Sequence, residues 1–239
     1  MESVVSPERE TKLDNMNKPH PSEMCAPGYH VVQGHKRICK SGTTTWVDEH
    51  IRKNHGKIRP GLLQENIWYL FWNNKKKYPA LKPISGFKNK GVEYDEVIQF
   101  WLDYWKAQGV IYPADLNPLM IKAIIALESG FNEKVKNKKS TAEGLMQITD
   151  QSLRILGGFP DGDGWTEVKN NLIHVVKTDK LDPLINIAIG IRLLGHKYSQ
   201  IRNAKLKDAW RLIATYNSKN EKVGGEYANK VRKLYNSSK

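Results

Sequence analysis

Cysteine is nearly absent from the 239-residue chain, which has two, and Phe and Met are scarce at five each. Two cysteines, Cys25 and Cys39, allow at most one internal disulfide, so this is no disulfide scaffold and a hydrophobic core has to hold it. With 39% hydrophobic residues, the length suffices for one sizeable core, or for a core with a small appendage. No apolar run approaches the roughly 20 residues of a membrane span. Acidic residues are also in the minority: 25 against 38 Lys and Arg, a formal net charge of +13. The basic excess runs through both halves, which excludes a neutral domain with a basic tail. Such a surface favours polyanions: nucleic acid, anionic lipid or an acidic cell wall. The opening "MESVVSPERETKLDN" lacks the basic start and apolar middle of a secretory signal. Synthesis in the cytoplasm is therefore expected, with transport to any other site by a different route.

Residues 1–22 are polar, with scattered Pro and no apolar period, and read as a flexible tail. Residues 23–57 form a basic Cys/His-rich module. In it "YHVVQGHKRIC" and "TTTWVDEHIR" are β-prone runs separated by "KSG", the pattern of a β-hairpin with a Gly turn. Cys25 and Cys39 stand there among His30, His35, His50 and His55, in spacings that match no zinc pattern. Structural thiols, free or disulfide-bonded, a metal site and a basic binding surface all stay open. Residues 58–110 read as a helical region that packs on or links to the C-terminal half of the chain. Its helical phase starts at "RPGLL", and "EYDEVIQFWLDYWKAQG" sets Val97, Phe100, Trp101, Tyr104 and Trp105 on one broad face. That face is expected to be core, with sugar stacking by Trp101 or Trp105 as the rival use.

From residue 111 the helix signals sharpen. Asn117-Pro118 and Asp182-Pro183 both pair a capping side chain with Pro at the first helical position, and no strand pattern competes. Residues 111–239 read as a compact all-α domain, and the chain as mainly α. "DGDG" at 161–164 echoes a calcium loop but lacks its spacing and closing acid, so it reads as a turn. Within the helical domain "IIALESGFN" places an acid, Glu128, at the end of an apolar run. Counted from Pro118 it falls near the end of a helix of about three turns. A polar loop, "SGFNEKVKNKKSTAEG", comes next. An acid there is desolvated by its apolar neighbours, which raises its pKa and lets it donate a proton near neutrality. The plainer alternative is a surface Glu on an amphipathic helix.

The neighbours of Glu128 resemble the lytic transglycosylases, the soluble-type branch of the lysozyme superfamily. The resemblance rests on Glu128, Ser129 and Phe131, then Ala142, Gly144, Leu145, Met146, Gln147 and Ile148, then Asn186, Ile187 and Gly190, then Tyr216-Asn217, and last Tyr227. These motifs lie in the family's order over residues 118–235, about half the chain, and leave residues 1–90 unaccounted for. The resemblance implies a lysozyme-like all-α catalytic domain that cuts peptidoglycan between N-acetylmuramic acid and N-acetylglucosamine. It implies Glu128 as the one catalytic residue, acid first and then base, giving 1,6-anhydro ends with no cofactor and no metal. By the same resemblance Ser129 and Gln147 would bond near the acid or the acetamide, and Tyr216 and Asn217 would position Glu128 or the sugar. Gly144 would let backbone approach the glycan, and Asn186 and Tyr227 complete the substrate-binding set. Leu145, Met146 and Ile148 are expected to be core before they are substrate contacts.

The chain departs from the family pattern at Asn137, at Leu193 and at Lys219, and its "KNKKST" loop is about one residue longer, which bears on the far subsites. If Glu143, Asp150, Asp161 or Asp163 flanked the cleft as a second carboxylate, the product would be that of a hydrolase of the lysozyme kind. A reading of another class is a basic cell-wall- or nucleic-acid-binding protein without catalysis, though no nucleic-acid motif is present. The expected partners are peptidoglycan glycan strands and, through the N-terminal region, a phage particle or a secretion machine that delivers the enzyme to the periplasm.

Overall fold

The structure, a computed structural model, describes residues 16, 18–40, 42–54, 61–74, 76–160, 168, 170–201 and 208–238. The hairpin expected from the turn signal is present and longer than one ladder. Strand β1 (Tyr29–Val32) pairs antiparallel with β4 (His50–Lys53), and β2 (His35–Ile38) with β3 (Thr44–Val47). Tyr29 faces Lys53, Val32 faces His50, His35 faces Val47 and Ile38 faces Thr44, so one register runs from base to tip. Equal gaps at 33–34 and 48–49 interrupt the ladder without shifting it. The tip closes where Cys39 N donates to Thr43 O at 2.8 Å, and Gly42 there takes a left-handed φ of +80°. Cys39 lies at this tip, whereas Cys25 is buried next to Asn66. Both thiols are free, which removes the disulfide, and no cluster suited to a metal ion occurs among the described residues.

The helical region begins later than "RPGLL" suggests. Gly61–Leu62 form a two-residue strand, β5, parallel to β6 (Leu172–Ile173), and helix α1 starts only at Gln64 and runs to Asn74. Two residues carry no readable period, so neither strand could be seen in advance, and β6 corrects the expectation of a strand-free C-terminal half. Helix α2 (Asp95–Ala107) comes next, then α3 (Pro118–Ser129), α4 (Asp150–Leu156), α5 (Pro183–Ser199), α6 (Ala209–Asn217) and α7 (Glu221–Asn236). The two Pro-started helices are capped as expected. Asn117 Oδ1 accepts from Met120 N at 3.2 Å, and Asp182 Oδ1 from Ile185 N at 3.0 Å.

Helix α5 is mostly apolar and buried on every side from Leu184 to His196, which makes it the central helix. Helices α1, α2 and α6 pack against it, α3 packs against α2, and α7 closes over α3 and α6. Trp101 and Trp105 are fully buried, so neither is a sugar platform. Trp105 Nε1 and Tyr112 OH each donate to an α5 carbonyl, Ala188 O and Ile191 O, at 2.9 Å. One hydrophobic cluster runs from Leu62 to Tyr235, so the helices before residue 111 share a core with those after it. The result is the mainly α, lysozyme-like architecture expected. Among the described residues no helix is long and apolar enough to cross a membrane.

Candidate active site

Helix α3 ends in a way that fixes where Glu128 points. Gly130 caps it in the left-handed region (φ 58°), with its N–H on Ala126 O at 3.0 Å. Phe131 comes next at φ 64°, a strained value for an aromatic residue. Burial holds it there: its ring meets Phe87 edge-on at 5.5 Å and fills the space over Gly91, where a Cβ would overlap it. Glu128, one turn back from this anchor, is partly buried, and its Oε1 accepts from Tyr227 OH on α7 at 2.6 Å. Burial raises the Glu128 pKa, and the Tyr227 hydrogen bond pulls against that rise. Burial and the nearby Glu128 push both Tyr216 and Tyr227 above the usual phenol value, so both stay protonated donors.

Opposite the acid, residues 142–148 fold into a tight turn. Glu143 and Ile148 exchange backbone bonds at 3.0 and 3.1 Å, and Gly144 (φ +79°) and Gln147 (φ 50°) carry the left-handed bends. One buried side chain seats the whole turn: Asn186 Oδ1 accepts from Met146 N at 2.7 Å, and its Nδ2 donates to Glu143 O at 3.0 Å and Lys180 O at 2.6 Å. A Cβ on Gly144 would overlap Asn186 and Lys180 O, so only glycine fits under this clamp. Four residues on from Asn186, Gly190 leaves the space that the Met146 side chain occupies. Tyr216 OH holds the turn from the other side, donating to Met146 O at 2.7 Å.

The sequence-derived residues thus separate into two groups. Glu128 and Tyr227 touch, and Tyr216 joins them to the turn that presents Gln147. Asn217, the last residue of α6, is exposed. Ser129 Oγ donates back to Ile125 O on its own helix at 3.0 Å, and Gln147 Nε2 donates to Gly144 O at 2.9 Å and Val135 O at 3.3 Å in the loop that carries it. Leu145, Met146, Ile148 and Asn186 are fully buried and serve the seat of the turn, not its open face.

Lys180 has no signal in the sequence. Buried between the turn and α4, its Nζ donates to Thr141 O and Asp150 Oδ1, both at 2.7 Å, and lies 3.3 Å from Glu143 Oε2. Nothing in "KTDKLDP" distinguishes it from a surface lysine. Its partners are two of the candidate second carboxylates. Burial works to raise the Glu143 pKa, but Lys136 and Lys180 outweigh it and hold it below the usual range. Lys177 and then Lys180 hold Asp150 low. Both are lysine-bound carboxylates of the scaffold. Asp161 and Asp163, with the "DGDG" turn, lie outside the described residues.

The sequence of residues 104–237 matches the family model described as the transglycosylase SLT domain, more than half of the chain. A search of the curated proteins finds no match. With its desolvated acid, its Asn186-seated turn and this match, the chain belongs to the transglycosylase SLT domain family and is a lytic transglycosylase-type enzyme whose substrate is peptidoglycan.

Proposed function

We propose that the enzyme cleaves the β-1,4 bond between N-acetylmuramic acid and N-acetylglucosamine without water, with Glu128 as acid and then base. The supporting observation is the desolvated carboxylate of Glu128 under a tyrosine donor, while Glu143 and Asp150 are tied up by lysines. Protonated Glu128 gives its proton to the glycosidic oxygen as the bond to the muramoyl C1 breaks, and the acetamide oxygen of the same sugar bonds to C1. The Glu128 carboxylate then takes the proton of the muramoyl 6-hydroxyl. That oxygen displaces the acetamide at C1, which closes the 1,6-anhydro ring and returns Glu128 to its acid form. Ser129 at the end of α3, Gln147 in the turn and Asn217 at the end of α6 are the proposed sugar contacts, whereas Gly144 serves the Asn186 clamp rather than backbone approach to the glycan.

Digestion of purified wall, with separation and weighing of the fragments, tests the reaction. Fragments lighter by one water than lysozyme products are expected. Predominantly reducing ends would instead assign a hydrolase.

The pH dependence is set by the site. Activity requires protonated Glu128 at the start, so it should fall as pH rises through the raised pKa. Tyr227→Phe removes the hydrogen bond that favours the carboxylate, so the alkaline limb should move to higher pH. Turnover should drop on the order of tenfold or more through lost positioning of the ionised form. A limb that stays put or moves to lower pH in kcat profiles would show that Glu128 is not the titrating acid.

A further inference from the structure

The β1–β4 hairpin takes no part in the cleft chemistry and exposes side chains that a monomer surface normally hides. Ile38 is 75% exposed, Trp46 62% and Ile51 51%. Cross-strand partners share a face of a hairpin, and here Lys36 lies opposite Trp46 and Ile38 opposite Thr44. Gly34 lets the indole lie down on the strand, since a Cβ there would come 3.1 Å from Trp46 Cζ2. One face of the tip therefore presents a flat aromatic ring, an aliphatic side chain and an ammonium group side by side. Arg37 projects from the other face, opposite Thr45, and Lys40 stands at the turn. With Arg52 and Lys53 near the base, the arm's cations outnumber its acids, Asp48 and Glu49.

The arm's root is fixed to the body. Asn66 Nδ2 lies 3.0–3.1 Å from the carbonyls of Cys25, Ala26 and Tyr29, and Val31 N donates to Glu65 Oε1 at 3.2 Å. Both anchors sit on α1, which packs on α5, the helix that seats the active-site turn.

From this patch we infer that the arm is a second contact for peptidoglycan, gripping the polymer away from the cleft; the inference rests on peptidoglycan being the substrate of the cleft. Sugar rings offer apolar C–H faces that suit an open indole, and the stem peptides offer carboxylates that suit Lys36 and Arg37. Two contacts on one chain make the second binding event intramolecular, so a weak arm suffices to hold the enzyme on an insoluble substrate.

The test uses the full chain carrying Glu128→Gln, so that the wall is not consumed, and measures co-sedimentation with purified insoluble peptidoglycan across a salt series. Adding Trp46→Ala, or Lys36→Gln with Arg37→Gln, should each weaken binding by at least about tenfold. The charge variant should also flatten the salt dependence. Neither change touches the core, and unaltered thermal midpoints would verify that. Wall binding equal to the parent in both variants overturns the inference. So does a loss confined to phosphatidylglycerol vesicles, which assigns a lipid surface, or one confined to self-association in sedimentation velocity, which assigns a second copy of the chain. Arm-dependent wall binding by a chain that, with Glu128 intact, cuts nothing would sink the catalytic reading and leave the arm in place.

Discussion

Glu128→Gln is expected to lower release of wall fragments by at least about a thousandfold, because one carboxyl group is used twice, as proton donor and as proton acceptor. Glutamine keeps the shape, and its carbonyl can still accept from Tyr227, so the site should stay assembled. Stability supplies the internal control. The folded-state pKa of Glu128 is raised by burial, so its contribution to stability is greatest below the ordinary carboxyl pKa. That contribution is lost as pH rises from the ordinary value through the raised one. The variant has no proton to lose, so its thermal midpoint should gain on the parent's across that same pH range. Loss of activity together with this gain separates a catalytic role from a merely structural one. A well-folded variant that still cuts would transfer the chemistry to another carboxylate.

Lys122→Met should be among the most damaging changes to the fold. Lys122 sits on α3 with its side chain wholly out of solvent, 2.6 Å from Asp95 Oδ1, whose own side chain is 3% exposed. The other Asp95 oxygen accepts from Leu81 N at 3.0 Å, so the carboxylate also serves the loop ahead of α2. Removing the cation breaks a buried ion pair from one side, at a cost of about 3–5 kcal/mol, a large share of an ordinary domain's stability. Adding Asp95→Asn should recover most of that loss, since the amide oxygen still accepts from Leu81 N and no charge remains. Urea midpoints of the parent, the two single variants and the double variant check this as a cycle. A single variant within about 1 kcal/mol of the parent would mean that the pair stays hydrated.

The lysine is instructive about what could be read in advance. It interrupts "LMIKAII", a helix stretch with apolar residues on every side and no polar face to carry it outward. A charge in such a helix has to find a partner inside, but neither the burial of Lys122 nor its partner was read from the sequence. Lys180 gave no such signal, because its neighbours are polar and its two carboxylates come from the 142–148 turn and α4. The place of Glu128 was legible because it is local, the end of an apolar helix, whereas the Gly144–Ile148 segment stood out through the family resemblance, and the reason for its glycine, expected to be approach of the glycan, is the Asn186 clamp. Asn186 was legible as a motif member but not as a clamp, since its partners lie some 40 residues away in sequence. The hairpin was legible from its Gly turn, but the fate of Cys25 and Cys39 was not. Only the shared register shows one thiol at the tip and the other beneath the root.

Gly190 and Met146 divide one volume between them. The space that a side chain at 190 would need is already filled by the thioether, and neither residue can move, because Asn186 and Tyr216 fix the backbone of the turn on both sides. Neither position is therefore free to drift alone. A larger residue on the helix has to be matched by a smaller one in the turn, and a smaller one in the turn alone leaves a void. Across descendants of this chain the two sites should behave as one heritable character, exchanging bulk while their sum stays constant.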